Sequence, residues 1–212
     1  MRVALTFDAE HPDRPNTGGG AASLIGTLRE LDARATFFVQ GRWAEAYPDL
    51  AATLPRDGHL IGSHSFYHAR MPLFSRGGFR TDVRAAERAI REFVGVDPRP
   101  WFRMPFGSGA DRAKLVDHLR ELGYRHVSWH IAGLDWHRDR AGRGVEETVV
   151  SGALARGDGT IVLLHTWPDA TAAAVAGIVT RLRAAGAELV RVDELALPPG
   201  LGPVGGQRPP LS

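Results

Sequence analysis

Cysteine is absent from the 212 residues. Its absence excludes disulfides, a thiolate nucleophile and thiolate zinc sites, so any bound metal must take imidazole, carboxylate or water ligands. Lysine is nearly absent as well: Lys114 is the only one, and arginine carries the rest of the positive charge. The 26 basic and 24 acidic residues leave a formal charge of +2, with the arginines scattered instead of gathered in runs, so nucleic acid is not an expected partner. No apolar run approaches the roughly 20 residues that a membrane-crossing helix needs. Acidic residues arrive early, at Asp8 and Glu10. They leave no room for the apolar stretch of a secretion signal, and the expected location is cytoplasmic.

What is present reads as a folded chain. A hydrophobic fraction of 43% beside 24% charged residues is ordinary for a globular protein, and the length suits one sizeable domain. Short apolar, β-rich runs at residues 2–8, 35–40, 60–63, 101–104, 126–131, 160–165 and 188–192 alternate with helical patterns such as AASLIGTLREL, DVRAAERAIREFV, DRAKLVDHLRELG and AAAVAGIVTRLRAAG. Apolar residues in these patterns recur at spacings of three and four, and glycine closes several of them. Strands alternating with helices imply a parallel sheet with crossover helices. The expected fold class is therefore α/β, a single-domain deformed (β/α) barrel of about seven parallel strands over residues 1–196. The Pro/Gly-rich segment 197–212 should be a loose tail. Residues 16–23, NTGGGAAS, lack the Lys-Ser/Thr of a nucleotide loop and read as a flexible βα connection.

In parallel α/β folds the reactive side chains sit where strands end, because the following loops converge on one face. Asp8 and Glu10 are two apart at the end of the first strand, so an extended chain points both to one side. The third strand runs into His64 and His68, which would share a face if they lay on one helical turn. The others reach Arg103, Asp135 and His165. Two imidazoles and a carboxylate make a facial ligand set for a divalent ion, with positions left for water and a substrate oxygen. In that scheme Asp8 suits a general base and His165 a general acid. Arg103 would orient a carboxylate, and Asp135 would favour the protonated form of a histidine.

These segments also resemble a known family, the polysaccharide deacetylases of carbohydrate esterase family four. Five short motifs occur here in the family's order: TFDAE from Thr6, HSFYH from His64, RMPFG from Arg103, DW at Asp135 and Trp136, and LLH ending at His165. The resemblance implies a deformed (β/α) barrel that removes N-acetyl groups from an amino sugar, oligosaccharide or polysaccharide with one zinc ion, or cobalt or nickel in some members. It implies Asp8 as base, His64 and His68 as ligands, Arg103 steadying Asp8, and Asp135 as partner of the acid His165. The backbone amide at Phe106 would help hold the oxyanion, and Trp136 and Leu163 would line the pocket for the acetyl methyl group.

One position departs from the pattern. Many members have adjacent aspartates in the first motif, the second a metal ligand, and that place here is Ala9. Glu10 is the expected substitute, with His11 or His59 next in line, although His11 otherwise reads as a solvated loop residue. Two alternatives follow: the same scaffold acting on an O-acetyl ester or cyclic amide, or a catalytically inactive carbohydrate-binding protein. Trp129, His130 and His137 have no expected task, and Trp136 and Trp167 could equally be packing aromatics.

Overall fold

The computed structural model describes residues 1–14 and 20–197. Residues 16–19 of the expected 16–23 loop and all but the first residue of the expected tail lie outside the described residues, while Gly20 to Ser23, read as loop, begin the first helix. Among those described, parallel strands form one curled sheet. β1 (Arg2–Ala9) lies at its centre, flanked by β2 (Thr36–Val39) on one side; β3 (Leu60–Ser63), β4 (Trp101–Phe102) and β5 (Arg125–His126) follow outward. On the other side of β1 lie β7 (Thr160–His165) and then β6 (Ile131–Ala132), while β8 (Glu188–Leu189) pairs with Arg2 and Val3, ahead of the β1 to β2 pairing that begins at Thr6. The helices are α1 (Gly20–Glu30), the short α2 (Gly41–Ala46), α3 (Pro48–Ala51) and α4 (Thr53–Arg56), then α5 (Arg76–Ala89), α6 (Ala113–Glu121), α7 (Gly142–Arg156) and α8 (Asp169–Ala184).

The expected strand at 126–131 is two strands, β5 and β6, on opposite edges of the sheet. Residues 127–130 cross between them. Val127 N donates to Phe102 O at one edge (2.8 Å) and His130 N to Ile161 O at the other (2.9 Å). The barrel is thus closed by a covalent crossing where a ladder would otherwise run, and that crossing leaves carbonyls to satisfy. Arg103 takes two of them, from Nε to Val127 O (3.2 Å) and from a terminal nitrogen to Ser128 O (3.3 Å). Helix α5 begins six residues before the pattern starting at Asp82, because Ser75 caps it by accepting Gly78 N (3.1 Å).

The period of two along β1 sorts its side chains. Val3, Leu5, Phe7 and Ala9 join the helix-side core with Leu24, Ile25 and Leu28 of α1, Val145 and Val149 of α7, and Val175, Ile178, Val179 and Leu182 of α8. Full burial of each large aliphatic side chain stabilises the fold by about 1.5–3 kcal/mol. Ala4, Thr6 and Asp8 face the barrel interior instead. Its lower part is apolar, with Ala4, Phe38, Val127 and Ile161 packed on Val190, Val192 and Leu195 of the returning C-terminal segment. The upper part is polar. Gly62 on β3 is required there, since a Cβ would meet Phe38 Cδ1 at 2.7 Å, and the Phe38 ring lies under the Arg103 guanidinium, 4.1 Å from its centroid.

Candidate active site

Register brings the polar residues together at the C-terminal ends of the strands. Asp8 lies opposite His165 on β7 and Phe38 on β2. Ala9 points to the helices and is buried among apolar side chains, so the place of the missing aspartate faces away from the interior. Glu10, one residue on, returns to the side of Asp8. The alternation expected of the first motif therefore holds, and the acid it delivers is Glu10.

His64 and His68 do not share a helical turn, as the spacing suggested. They flank an irregular loop in which Ser65 (φ 65°) and His68 (φ 58°) are left-handed, and their ring centroids come within 4.9 Å. The loop is pinned from α5. Buried Asp82 accepts Phe66 N (3.0 Å) and Tyr67 N (3.1 Å), while Ser65 Oγ accepts His68 N (3.0 Å). Burial raises the Asp82 carboxyl, and these amides oppose the rise. The β3 to α5 connection is thus held in a strained shape by hydrogen bonds made to one carboxylate.

Glu10 is the hub of the site. Its Oε2 lies 2.5 Å from His68 Nε2 and 3.2 Å from His64 Nε2; its Oε1 lies 3.1 Å from His11 Nε2, accepts Trp167 Nε1 at 3.1 Å, and sits 3.9 Å from His165 Nε2. Burial works against its charge, yet His11, His64 and His68 together hold the Glu10 carboxyl well below the usual carboxylate range. Burial likewise lowers His64, but Asp8 and Glu10 override it and the net direction is up; for His68 burial wins and the direction is down. The donor atoms of Glu10, His11 and His68 lie within 4.8 Å of one another, as do those of Asp8, Glu10 and His165. His64 joins through the shared Glu10 oxygen.

The donor set fits a divalent ion of borderline softness: imidazole and carboxylate, without thiolate. His64 Nδ1 lies 2.9 Å from the carbonyl oxygen of Arg103. A carbonyl can only accept, so this contact fixes the proton on Nδ1 and aims Nε2 inward, the arrangement typical of a ligating histidine.

Two buried ion pairs flank this hub. Arg103, with 0% of its surface exposed, donates from one terminal nitrogen to Asp8 Oδ1 and Thr6 Oγ1, both at 2.8 Å. Thr6 Oγ1 in turn donates to Val162 O at 2.5 Å. Burial lowers the Arg103 guanidinium, opposed by Asp8. Asp8 keeps Oδ2 for the site, 3.5 Å from His64 Nε2. On the far side, Asp135 Oδ1 lies 2.9 Å from His165 Nδ1, and its Oδ2 accepts His165 N (2.7 Å) and Thr171 Oγ1 (2.5 Å). Burial alone would depress His165; the charges of Asp135, Glu10 and Asp8 raise it to about 9. Its Nε2 thus carries a proton at neutral pH and faces Glu10.

The remaining expected residues are close by. Phe106 is left-handed (φ 58°) with its ring 4.5 Å from that of His68, and the Arg70 guanidinium lies over the Phe106 ring, 4.6 Å from its centroid. Trp136 meets His165 edge-on at 5.3 Å, and Leu163 is buried beside Thr6 in the strand register. Reading the sequence missed Thr6, Gln40, Asp82 and Thr171, whose residue types carried no signal beyond polarity. It also left Trp167 undecided, and Trp167 touches Glu10. His59 and His130 prove to be backbone acceptors: Nδ1 of each takes a strand amide, Ala35 N (3.1 Å) and Ile161 N (3.0 Å). His59 therefore stands away from the hub and is no substitute ligand. His137 is exposed and stacks on Trp136.

A curled parallel sheet with carboxylates and histidines gathered at its strand ends defines a (β/α)-barrel protein with a hydrolytic-type site on that face. A family model described as polysaccharide deacetylase matches residues 1–127, and the chain belongs to that family. It is 31% identical over 194 residues to peptidoglycan-N-acetylglucosamine deacetylase PgdA of Listeria monocytogenes, covering 92% of this chain and 38% of that protein. It is 30% identical over 163 residues to a chitooligosaccharide deacetylase of Azorhizobium caulinodans, covering 77% and 72%. Among solved structures, a family 4 carbohydrate esterase from Streptomyces lividans in complex with acetate superposes with a TM-score of 0.78 at 26% identity, covering 95% of each chain. The chain thus spans well under half of the Listeria protein. Among the described residues no helix is long and apolar enough to cross a membrane.

Proposed function

We propose that this chain is a metal-dependent amidohydrolase that removes the N-acetyl group from an amino sugar or its oligomer, with residues 1–196 as the catalytic unit. The observation that carries the reading is the pair of buried ion pairs on either side of Glu10: Asp8 held by Arg103 on one side, and His165 held by Asp135 on the other. Glu10, His64 and His68 would hold the ion. A divalent cation there supplies Lewis acidity, lowering the pKa of water from about 15.7 toward about 7.

The residues divide the proton work. Asp8, with Oδ1 engaged by Arg103, takes the proton of the attacking water on Oδ2 as the water oxygen bonds to the acetyl carbon. The amide nitrogen departs with the proton of His165 Nε2, giving acetate and the free amine. Asp135 orients His165 through two hydrogen bonds, from its Nδ1 and its backbone N, and is itself held by Thr171 Oγ1. The Phe106 amide, presented by a left-handed turn, would donate to the oxygen on which charge develops, and Trp136 and Leu163 would bound the space for the methyl group. The deacetylases named among the relatives support an N-acetylglucosamine-type substrate.

Acetate release from chitooligosaccharides, with acetylated xylan as the competing ester substrate, tests the reading. Zinc- or cobalt-loaded protein should deacetylate the former, and Asp8→Asn should abolish turnover. Activity on xylan alone, or an Asp8→Asn variant as active as the parent, would refute it.

A further inference from the structure

A fourth donor stands at the proposed metal site, beside Glu10. His11 Nε2 lies 3.1 Å from Glu10 Oε1, and with Glu10 and His68 it forms one of the two sets of three donor atoms gathered within 4.8 Å among the described residues. Its ring stands edge-on to His68, with centroids 4.9 Å apart, and edge-on to Trp167 at 5.7 Å.

The backbone is shaped to bring it there. His11 is left-handed, φ 57°, a strained conformation that few non-glycine residues adopt. Gln40 Oε1, on the adjoining β2 to α2 connection, holds it by accepting His11 N at 3.0 Å. An extended residue after Glu10 would carry its side chain to the opposite side, as at Ala9. The left-handed turn cancels that alternation, so two consecutive residues reach one point. A solvated loop histidine would need neither the strain nor the amide clamp.

We propose that His11 is a ligand of the same ion as Glu10, His64 and His68, so that this chain binds its metal with three imidazoles and one carboxylate in place of two imidazoles and one carboxylate. The inference rests on the metal-dependent reading above and adds the donor count. Its chemical consequence is selectivity: a third imidazole favours zinc, cobalt and nickel over manganese and magnesium, which prefer oxygen. A donor set this full also leaves fewer positions for water and substrate, and Glu10 must bind through a single oxygen to keep one open.

Cobalt-loaded protein answers the question without turnover, because each imidazole on paramagnetic cobalt gives its own hyperfine-shifted N–H proton resonance. The parent should show three such signals and His11→Asn two. Asparagine tolerates the left-handed backbone best among replacements, so the fold should persist, which circular dichroism checks. Zinc affinity by chelator competition should fall by roughly 10–100-fold or more, and His11→Asp, which restores a donor, should recover part of it with two N–H signals. Two signals in both parent and His11→Asn would overturn the ligand assignment and leave the hydrolase reading intact. A parent that binds no cobalt or zinc at all would overturn both.

Discussion

Replacing Asp135 with asparagine should move the alkaline limit of activity, because Asp135 is the charge that keeps His165 protonated. The carboxylate sits against Nδ1 at 2.9 Å, which places the two charge centres about 4 Å apart. At an effective dielectric near 20 that pair is worth about 4 kcal/mol, and at about 1.4 kcal/mol per factor of ten this is roughly a thousandfold in proton affinity. His165 is raised to about 9; without the charge its pKa falls to about 6. The sign follows: the acid works when protonated, so activity is present below its pKa and lost as pH rises through it. The parent should therefore hold its rate up to about pH 9, whereas Asp135→Asn should lose about tenfold at pH 7 and recover as the pH is taken to 6 and below. Asparagine keeps one oxygen to accept His165 N or Thr171 Oγ1, and an unchanged far-ultraviolet spectrum would verify that the loop stands. The assay is kcat against pH from 5 to 10 on one chitooligosaccharide. An alkaline limb that stays within half a pH unit of the parent's would show that His165 is not the titrating acid.

Other perturbations separate the supporting residues. Arg103→Lys cannot serve four acceptors spread over Thr6, Asp8, Val127 and Ser128; breaking this buried pair should cost about 3–5 kcal/mol and lower Tm by about 10 °C, and a Tm within about 2 °C of the parent would contradict the account. Asp82→Ala removes the acceptor of two loop amides, so stability should fall by about 1–3 kcal/mol and zinc affinity by roughly 10–100-fold, both readable by calorimetry. His59 is depressed to about 4 by burial, so the stability it confers is present above its ordinary value of 6.5 and lost as pH falls from there to about 4. His59→Asn offers Ala35 N an oxygen that does not titrate, and the stability lost between pH 7 and pH 5, measured by urea unfolding, should shrink by about 2 kcal/mol.

Much of this organisation was legible in the residues. Period-two patterning marks β1 and a continuous apolar run marks β7, and the spacing of Asp8 and Glu10 on one side of Ala9 follows from the first. The crossover helices announce themselves by apolar spacing, as in Val175, Ile178, Val179 and Leu182 of α8. The run at 126–131 misled because its β-rich composition is real while its pairing is divided: Phe102 claims one end and Ile161 the other. Strand propensity reports that a residue suits an extended backbone, and is silent on which neighbour it bonds. The left-handed residues His11, Asp32, Ser65, His68, Phe106 and Leu134 are likewise invisible in composition. Four of the six border the site, and at His11 and Ser65 the backbone is held from a distant segment, by Gln40 Oε1 and by Gly41 N.

The histidines show most plainly where residue type stops being informative. His126 and His165 occupy the same local position, the last residue of β5 and of β7 respectively, and both are buried. Burial, with the nearby Arg103 and His64 charges, drives His126 down to about 3, and its Nδ1 accepts Met104 N at 3.3 Å. Asp135, Glu10 and Asp8 reverse the same burial at His165 and take it to about 9. One ring is a fixed acceptor within the sheet and the other a proton donor to the cleft. What separates them is the sign of the charge that folding places nearby, Arg103 for one and Asp135 for the other. Those two partners lie 23 and 30 positions away along the chain. A strand-end histidine in this barrel therefore acquires its chemistry from the sheet register and the loops, and the substitution that exchanges one role for the other is made at the partner.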